Sequence, residues 1–163
     1  MSARIASINV SDGGVPKRPV PVTRVTAHGL EGDRHRDSRH HGGPARALCL
    51  FAVERIEALA AEGHSIAAGT IGENITVAGL DWERVTPGNH YRIGDQVLLQ
   101  ITTYASPCSK IQAHFLGQDY PRVSQTRHPG WSRVYARVLA TGDIRRGDPV
   151  IALTPDEARA RLA

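Results

Sequence analysis

Cys108 is the residue of this chain best placed to do chemistry. It lies in Ser106-Pro107-Cys108-Ser109-Lys110, directly after the apolar run from Val97 to Thr103. That pattern predicts a strand ending in a turn, with a thiol where the backbone changes direction. Pro107 ends strand pairing and fixes its own φ, so the turn is rigid. Residues 109–115 read as a short helix, which puts Cys108 near a helix N-terminus. Unpaired N–H groups, the positive dipole end and Lys110 favour thiolate over thiol there. A thiolate serves nucleophilic, redox or metal-binding chemistry. The competing fate of a free cysteine is burial in the core. That second reading fits Cys49, inside Ala47-Leu48-Cys49-Leu50-Phe51 with no polar activator beside it.

A second set of candidates lies in Gly32-Asp33-Arg34-His35 and His40-His41-Gly42-Gly43-Pro44, a polar loop followed closely by Arg46. One reading is zinc, with one of the adjacent histidines joining His35 and Cys108 completing the ligands. The other is anion binding: Gly42 and Gly43 let backbone N–H groups approach a phosphate while Arg39 or Arg46 supplies charge. A solvated turn is the bland alternative. Glu73 and Asn74, in Gly72-Glu73-Asn74-Ile75-Thr76, place a carboxylate and a carboxamide at a strand entrance. They either join a site or fix a turn.

These residues must be positioned by short elements. Segments 3–10, 20–27, 45–52, 73–79, 90–94, 96–103, 131–140 and 149–153 read as strands, separated by turn signals such as Pro87-Gly88-Asn89 and Gly142-Asp143. Helical pattern is confined to residues 53–62, where Val53, Ile56, Leu59 and Ala60 share a face, to the Cys108–Leu116 segment, and to a terminal helix opened by Thr154-Pro155. The expected fold is mostly β: a closed or nearly closed β-barrel with a few short peripheral helices.

The chain has 163 residues, enough for one domain with a core of Val, Ile, Leu and Ala. Two cysteines make no disulfide framework and no Cys-x-x-Cys zinc pattern. The N-terminus lacks the apolar stretch of a signal peptide and no run is long enough to span a bilayer. A cytoplasmic protein with no membrane contact is expected. The net charge of +4 suits an anionic partner, but acidic and basic residues are interleaved. Aromatics at 5% leave little on which bases could stack, so no nucleic-acid partner is expected.

Taken in order, Gly32-Asp33, His41-Gly42-Gly43-Pro44 leading into Arg46, Ile71-Gly72-Glu73-Asn74-Ile75-Thr76, Tyr91-Arg92-Ile93-Gly94 and Ser106-Pro107-Cys108 with Lys110-Ile111 resemble the MOSC domain family. That module closes molybdenum-cofactor sulfurases and also occurs as small stand-alone bacterial proteins. The resemblance covers nearly the whole chain, as a single domain over 1–163. It implies a barrel-like β fold and an anionic molybdopterin cofactor, held by His41, Gly42, Gly43, Arg46, Glu73, Asn74 and Lys110.

It also implies that Cys108 matches the family's cysteine, which ligates molybdenum in reductase-type members and carries a persulfide in sulfurase-type members. Soft thiolate ligation suits a sulfur-rich metal centre. The main expectation is reduction of N-hydroxylated compounds with electrons from a flavin or iron–sulfur partner. The alternative is a sulfur carrier loaded by a cysteine desulfurase. Pyridoxal phosphate enters only through the desulfurase domain of larger relatives, which these residues are not expected to contain. The helical extension of some bacterial reductases is likewise not expected here. Substrate and oligomeric state are not legible in the sequence.

Overall fold

The computed structural model describes residues 2–34 and 43–163. Among these residues, eleven strands form two sheets: β1 (Arg4–Val10), β2 (Arg18–Val20), β3 (Val22–Thr26), β4 (Gly29–Leu30), β5 (Leu48–Ala52), β6 (Ile75–Ala78), β7 (His90–Ile93), β8 (Val97–Tyr104), β9 (Val134–Ala140), β10 (Gly142–Arg145) and β11 (Val150–Leu153). The larger sheet has eight strands in the order β11-β7-β8-β9-β5-β6-β1-β2, and the smaller has three, β10-β3-β4. The mostly β expectation holds, but neither sheet closes into a barrel.

Backbone chemistry explains the open edge. The large sheet curls until Arg4 and Pro149 form one isolated bridge. The Ile5 N–H donates to Asp148 O at 2.9 Å and the Val150 N–H to Ala3 O at 3.0 Å. No ladder extends from there. The edge strand β2 is three residues long with Pro19 at its centre.

β5 is buried along its whole length, and its five apolar residues form a continuous run rather than an alternation. It pairs in parallel with β6, and the crossover carries α1 (Val53–Ala61). Ile56 and Leu59 of α1 are buried, Val53 is half-buried, and Ala60, expected on the same face, is exposed. Under β5, the Phe51 and Trp82 rings meet edge to face at 6.0 Å and 71°. The indole N–H of Trp82 donates to Ser132 O at 2.8 Å.

The segment after Cys108 forms a 3₁₀ helix, Ser109–His114, rather than an α-helix. Beyond it, the connection to β9 is held against α1 by a cation–aromatic sandwich. Trp131 lies between Arg55 at 4.4 Å and Arg122 at 4.1 Å. Arg122 also pairs through two bonds with Glu62, at 2.9 and 2.7 Å, which lowers the Glu62 carboxyl below its ordinary range. The clamp ends two residues before Arg133, so it sets where β9 begins.

β10 forms where Gly142-Asp143 signals a turn in the sequence. Glycine is required there for space: a Cβ on Gly142 would stand 2.9 Å from the Gln96 side chain. The terminal helix α2 (Pro155–Leu162) starts where expected, with Thr154 and Glu157 forming a capping box. Among the described residues, no helix is long and apolar enough to cross a membrane.

Phe51 is fully buried at the centre of the core. Phe51→Ala is expected to lower stability by about 3–5 kcal/mol in urea unfolding. A loss under about 1 kcal/mol would mean that the β5–α1 layer is not the core.

Candidate functional site

Three strands converge on one point. In the register, Tyr135 of β9 lies opposite Cys49 of β5 on one side and Thr103 of β8 on the other. β8 ends at Tyr104, and the chain turns through Ala105 and Pro107 to Cys108. Where these meet is a cavity of about 350 Å³. Its wall takes Ser106, Cys108, Lys110 and Ile111 from the turn, Arg46 from the short helix before β5, and Cys49 from β5. Ile71, Gly72 and Asn74 come from the entrance to β6, Gly14, Val15 and Lys17 from the β1–β2 connection, and Arg34, Arg133 and Tyr135 complete it.

The cavity thus brings together Cys108, Lys110, Arg46 and Asn74, four residues that the sequence singled out. Gly43 is exposed, and its φ of 80° turns the chain into the short helix that carries Arg46. Its own side would be open: a Cβ there meets nothing within 4 Å. Glu73 does not face the cavity. It is fully buried behind the wall. His41 and Gly42, with His35, Arg39 and His40 of the zinc and anion-loop readings, lie outside the described residues.

Three polar side chains of the wall are not singled out by the sequence: Lys17, Arg133 and Tyr135. A signal for Lys17 existed, because it and Lys110 are the only lysines of the chain, and both line this cavity. Arg133 and Tyr135 gave none, since they sit in what reads as an ordinary strand.

Charge in the cavity is one-sided. Lys17, Arg34, Arg46, Lys110 and Arg133 line it, and among the described residues no carboxylate does. Asp33 stands behind the wall, buried, with its Oδ1 at 2.7 Å from the Lys17 ammonium and accepting from the Ser11 N–H at 2.9 Å. The Asn74 amide donates to Asp33 Oδ2 at 2.9 Å, while its Oδ1 accepts from the Cys49 N–H at 3.0 Å. The backbone N–H of Asn74 donates to Cys49 O at 2.7 Å. One carboxamide therefore joins β5, β6 and the carboxylate that holds Lys17. Arg133 is 6% exposed; its Nη1 donates to Ile71 O at 2.8 Å, and its buried Nε has no hydrogen-bond partner.

Burial sets the proton affinities of the inner wall. The Cys49 thiol is pushed up to about 11, by burial against the pull of Arg133. The Tyr135 phenol is pushed up to about 12, by burial and by Cys49, with Arg133 and Arg46 pulling the other way. Arg46 lies over the Tyr135 ring at 5.4 Å. Glu73 is raised above the ordinary carboxylate range by burial, opposed by bonds that its Oε2 accepts from the Gly69 N–H and the Thr76 hydroxyl. Its Oε1 is buried without a partner. Charge near Cys108 comes from Lys110 and the arginines, since a six-residue 3₁₀ helix is too short to bring a substantial dipole.

Could such a wall hold a metal–pterin group? Among the described residues, no three His, Cys, Asp or Glu gather into a shell of their own. A metal arriving with sulfur ligands would need only one further soft donor, which a thiolate can be. An anionic carrier of that metal would meet five cations, one of them with an orphaned buried donor. The donor set fits.

The MOSC domain profile matches residues 37–151. The chain belongs to the MOSC domain family. It is 33% identical over 138 residues to YflK of Bacillus subtilis (strain 168), across 82% of this chain and 60% of YflK. It is 34% identical over 131 residues to YiiM of Escherichia coli (strain K12), across 77% of this chain and 57% of YiiM. Both relatives are small stand-alone MOSC proteins, and the chain spans less than two thirds of either. The crystal structure of YiiM from Geobacillus stearothermophilus superposes with a TM-score of 0.73 at 27% identity, covering 93% of this chain and 75% of that one. MOSC domains are associated with molybdenum-cofactor binding.

Two measurements check this electrostatic map. At neutral pH, iodoacetamide is expected to label Cys108 well before Cys49, whose thiolate fraction is on the order of 1 in 10⁴ at a pKa near 11. Peptide mass spectrometry reads the order, and faster labelling of Cys49 would contradict the map. Glu73 binds its proton more tightly folded than unfolded. Its stabilising contribution is present below about pH 4.3 and lost as pH rises through the raised folded value. Glu73→Gln is therefore expected to gain stability over wild type as pH rises above about 4.3; a pH-independent difference would refute the assignment.

Proposed function

We propose that this MOSC protein holds a molybdenum–pterin cofactor in the cavity, with Cys108 as its ligand to the metal, and reduces N-hydroxylated compounds. The observation that carries the reading is a half-buried thiol in a cavity lined by five cations and, among the described residues, no carboxylate. A fungal relative, from Gibberella moniliformis (strain M3125 / FGSC 7600), is named a reductase. It is 32% identical over 133 residues, across 78% of this chain and 23% of its own.

Bound there, the cofactor supplies two-electron redox chemistry that no side chain of this protein provides. The protein's contribution is placement and charge. Cys108 offers its sulfur from a turn stiffened by Pro107. Arg46, Lys110 and Lys17 offset the phosphate. Asn74 keeps Lys17 and the Cys49 backbone in place, while Glu73 supports the wall from behind. Val15, Ile71 and Ile111 limit water at the reacting end. Electrons come from a flavin or iron–sulfur partner.

Arg46→Ala is expected to weaken cofactor binding by about 1.5–3 kcal/mol, as for a lost charge-assisted hydrogen bond. Equilibrium titration with the released pterin, followed by its fluorescence, reads the loss; an unchanged affinity would remove Arg46 from the site. Protein loaded to one molybdenum per chain is expected to turn over an amidoxime many times with reduced viologen dye. Uptake of a single sulfur per Cys108 from a cysteine desulfurase, with no turnover of several N-hydroxylated substrates, would assign the sulfur-carrier role instead.

A further inference from the structure

Cleaving an N–O bond consumes protons as well as electrons. For an amidoxime, R–C(NH₂)=N–OH with two electrons and two protons gives R–C(NH₂)=NH and water. Nitrogen takes one proton, and the departing oxygen takes the other. The electrons come from the donor, which is oxidised. Something in the cavity must meet that oxygen, and the lining offers few groups able to.

Arginines do not give up protons. Lys17 is tied to Asp33 at 2.7 Å, and Lys110 is exposed at the rim. Among the described residues, neither a carboxylate nor an imidazole lines the wall. The Cys49 thiol, a weak donor, is packed into a small cluster with Ala105 and Tyr135. Among the described residues, two hydroxyls line the cavity. Ser106 is exposed at its mouth, whereas Tyr135 is 7% exposed in its inner wall.

Tyr135 is also the better held. Its backbone is fixed on both sides, by Cys49 of β5 and Thr103 of β8, and Arg46 covers its ring at 5.4 Å. Arg46 and Arg133 line the same cavity, and both guanidinium groups pull the phenol's proton affinity down. Those arginines stabilise the phenolate left after a proton has gone. We propose that Tyr135 is a catalytic residue, whose hydroxyl donates its proton to the oxygen leaving the substrate. The phenolate then recovers a proton from water at the cavity mouth. This rests on the reductase reading above.

The test uses the molybdenum-loaded protein and Tyr135→Phe. Without an electron donor, calorimetry is expected to show benzamidoxime binding weakened about 3- to 10-fold and benzamidine binding unchanged. With reduced viologen dye, kcat is expected to fall about 10²- to 10⁴-fold. Bound molybdenum and the alkylation rate of Cys108 in metal-free protein should not move, as they would if the variant merely disturbed the wall. Should they move, 3-fluorotyrosine at position 135, which keeps the hydroxyl, must restore both binding and kcat; failure to do so overturns the proposal. Equal amidoxime affinity and kcat in Tyr135→Phe, in a preparation whose wild type turns over, overturns it while sparing the reductase reading. A loaded wild type that reduces no N-hydroxylated compound removes both.

Discussion

One buried carboxamide ties the site together. Asn74 takes the Cys49 N–H on its oxygen and gives a hydrogen bond to Asp33 through its nitrogen, so β5 and β6 cannot shift without moving the carboxylate that holds Lys17. A buried amide with its partners in place is worth keeping because every alternative leaves a donor or acceptor unpaired, at roughly 1–3 kcal/mol each. The constraint is local in space but spans positions 17, 33, 49 and 74 in sequence. The neighbouring Glu73 serves the same wall from the other side, accepting from Gly69 and Thr76.

The cost of the arrangement is electrostatic. Five cations face one cavity, and of the carboxylates behind it one is committed to Lys17 and the other is buried with a raised proton affinity. Such a surface is stable only because the fold is held elsewhere. The Trp131 sandwich, the Phe51–Trp82 contact and the Glu62–Arg122 pair supply that hold away from the cavity. An anionic ligand would relieve the repulsion and stabilise the folded state by mass action. Destabilised sites that a ligand repairs are what function looks like in stability terms.

The sequence disclosed the elements that depend on local pattern. The β8 run, the turn at Pro107 and the α2 cap at Thr154 are short-range features and were legible as such. Cys108 stood out because Pro107 and Lys110 flank it. Barrel closure was not borne out, because it depends on whether two distant edges can pair, and an edge strand of three residues with Pro19 at its centre limits that without changing any local pattern. β10 was hidden for the same kind of reason: its opening Gly142-Asp143 looks like a turn until Gln96 packs against it. Arg133 and Tyr135 came into the site only through the placement of β9, whose register pairs Tyr135 with Cys49 across 86 positions. Cys49 shows both sides of the limit, since it is the buried strand residue expected and also part of the cavity wall.

The central claim is that Cys108 supplies the sulfur by which this protein holds molybdenum. X-ray absorption at the molybdenum edge, on loaded wild type and on Cys108→Ser loaded with the same cofactor, tests it directly. The account predicts that the variant loses one sulfur from the first coordination shell and gains an oxygen or nitrogen in its place. An identical sulfur shell in both proteins would show that the metal is held without Cys108.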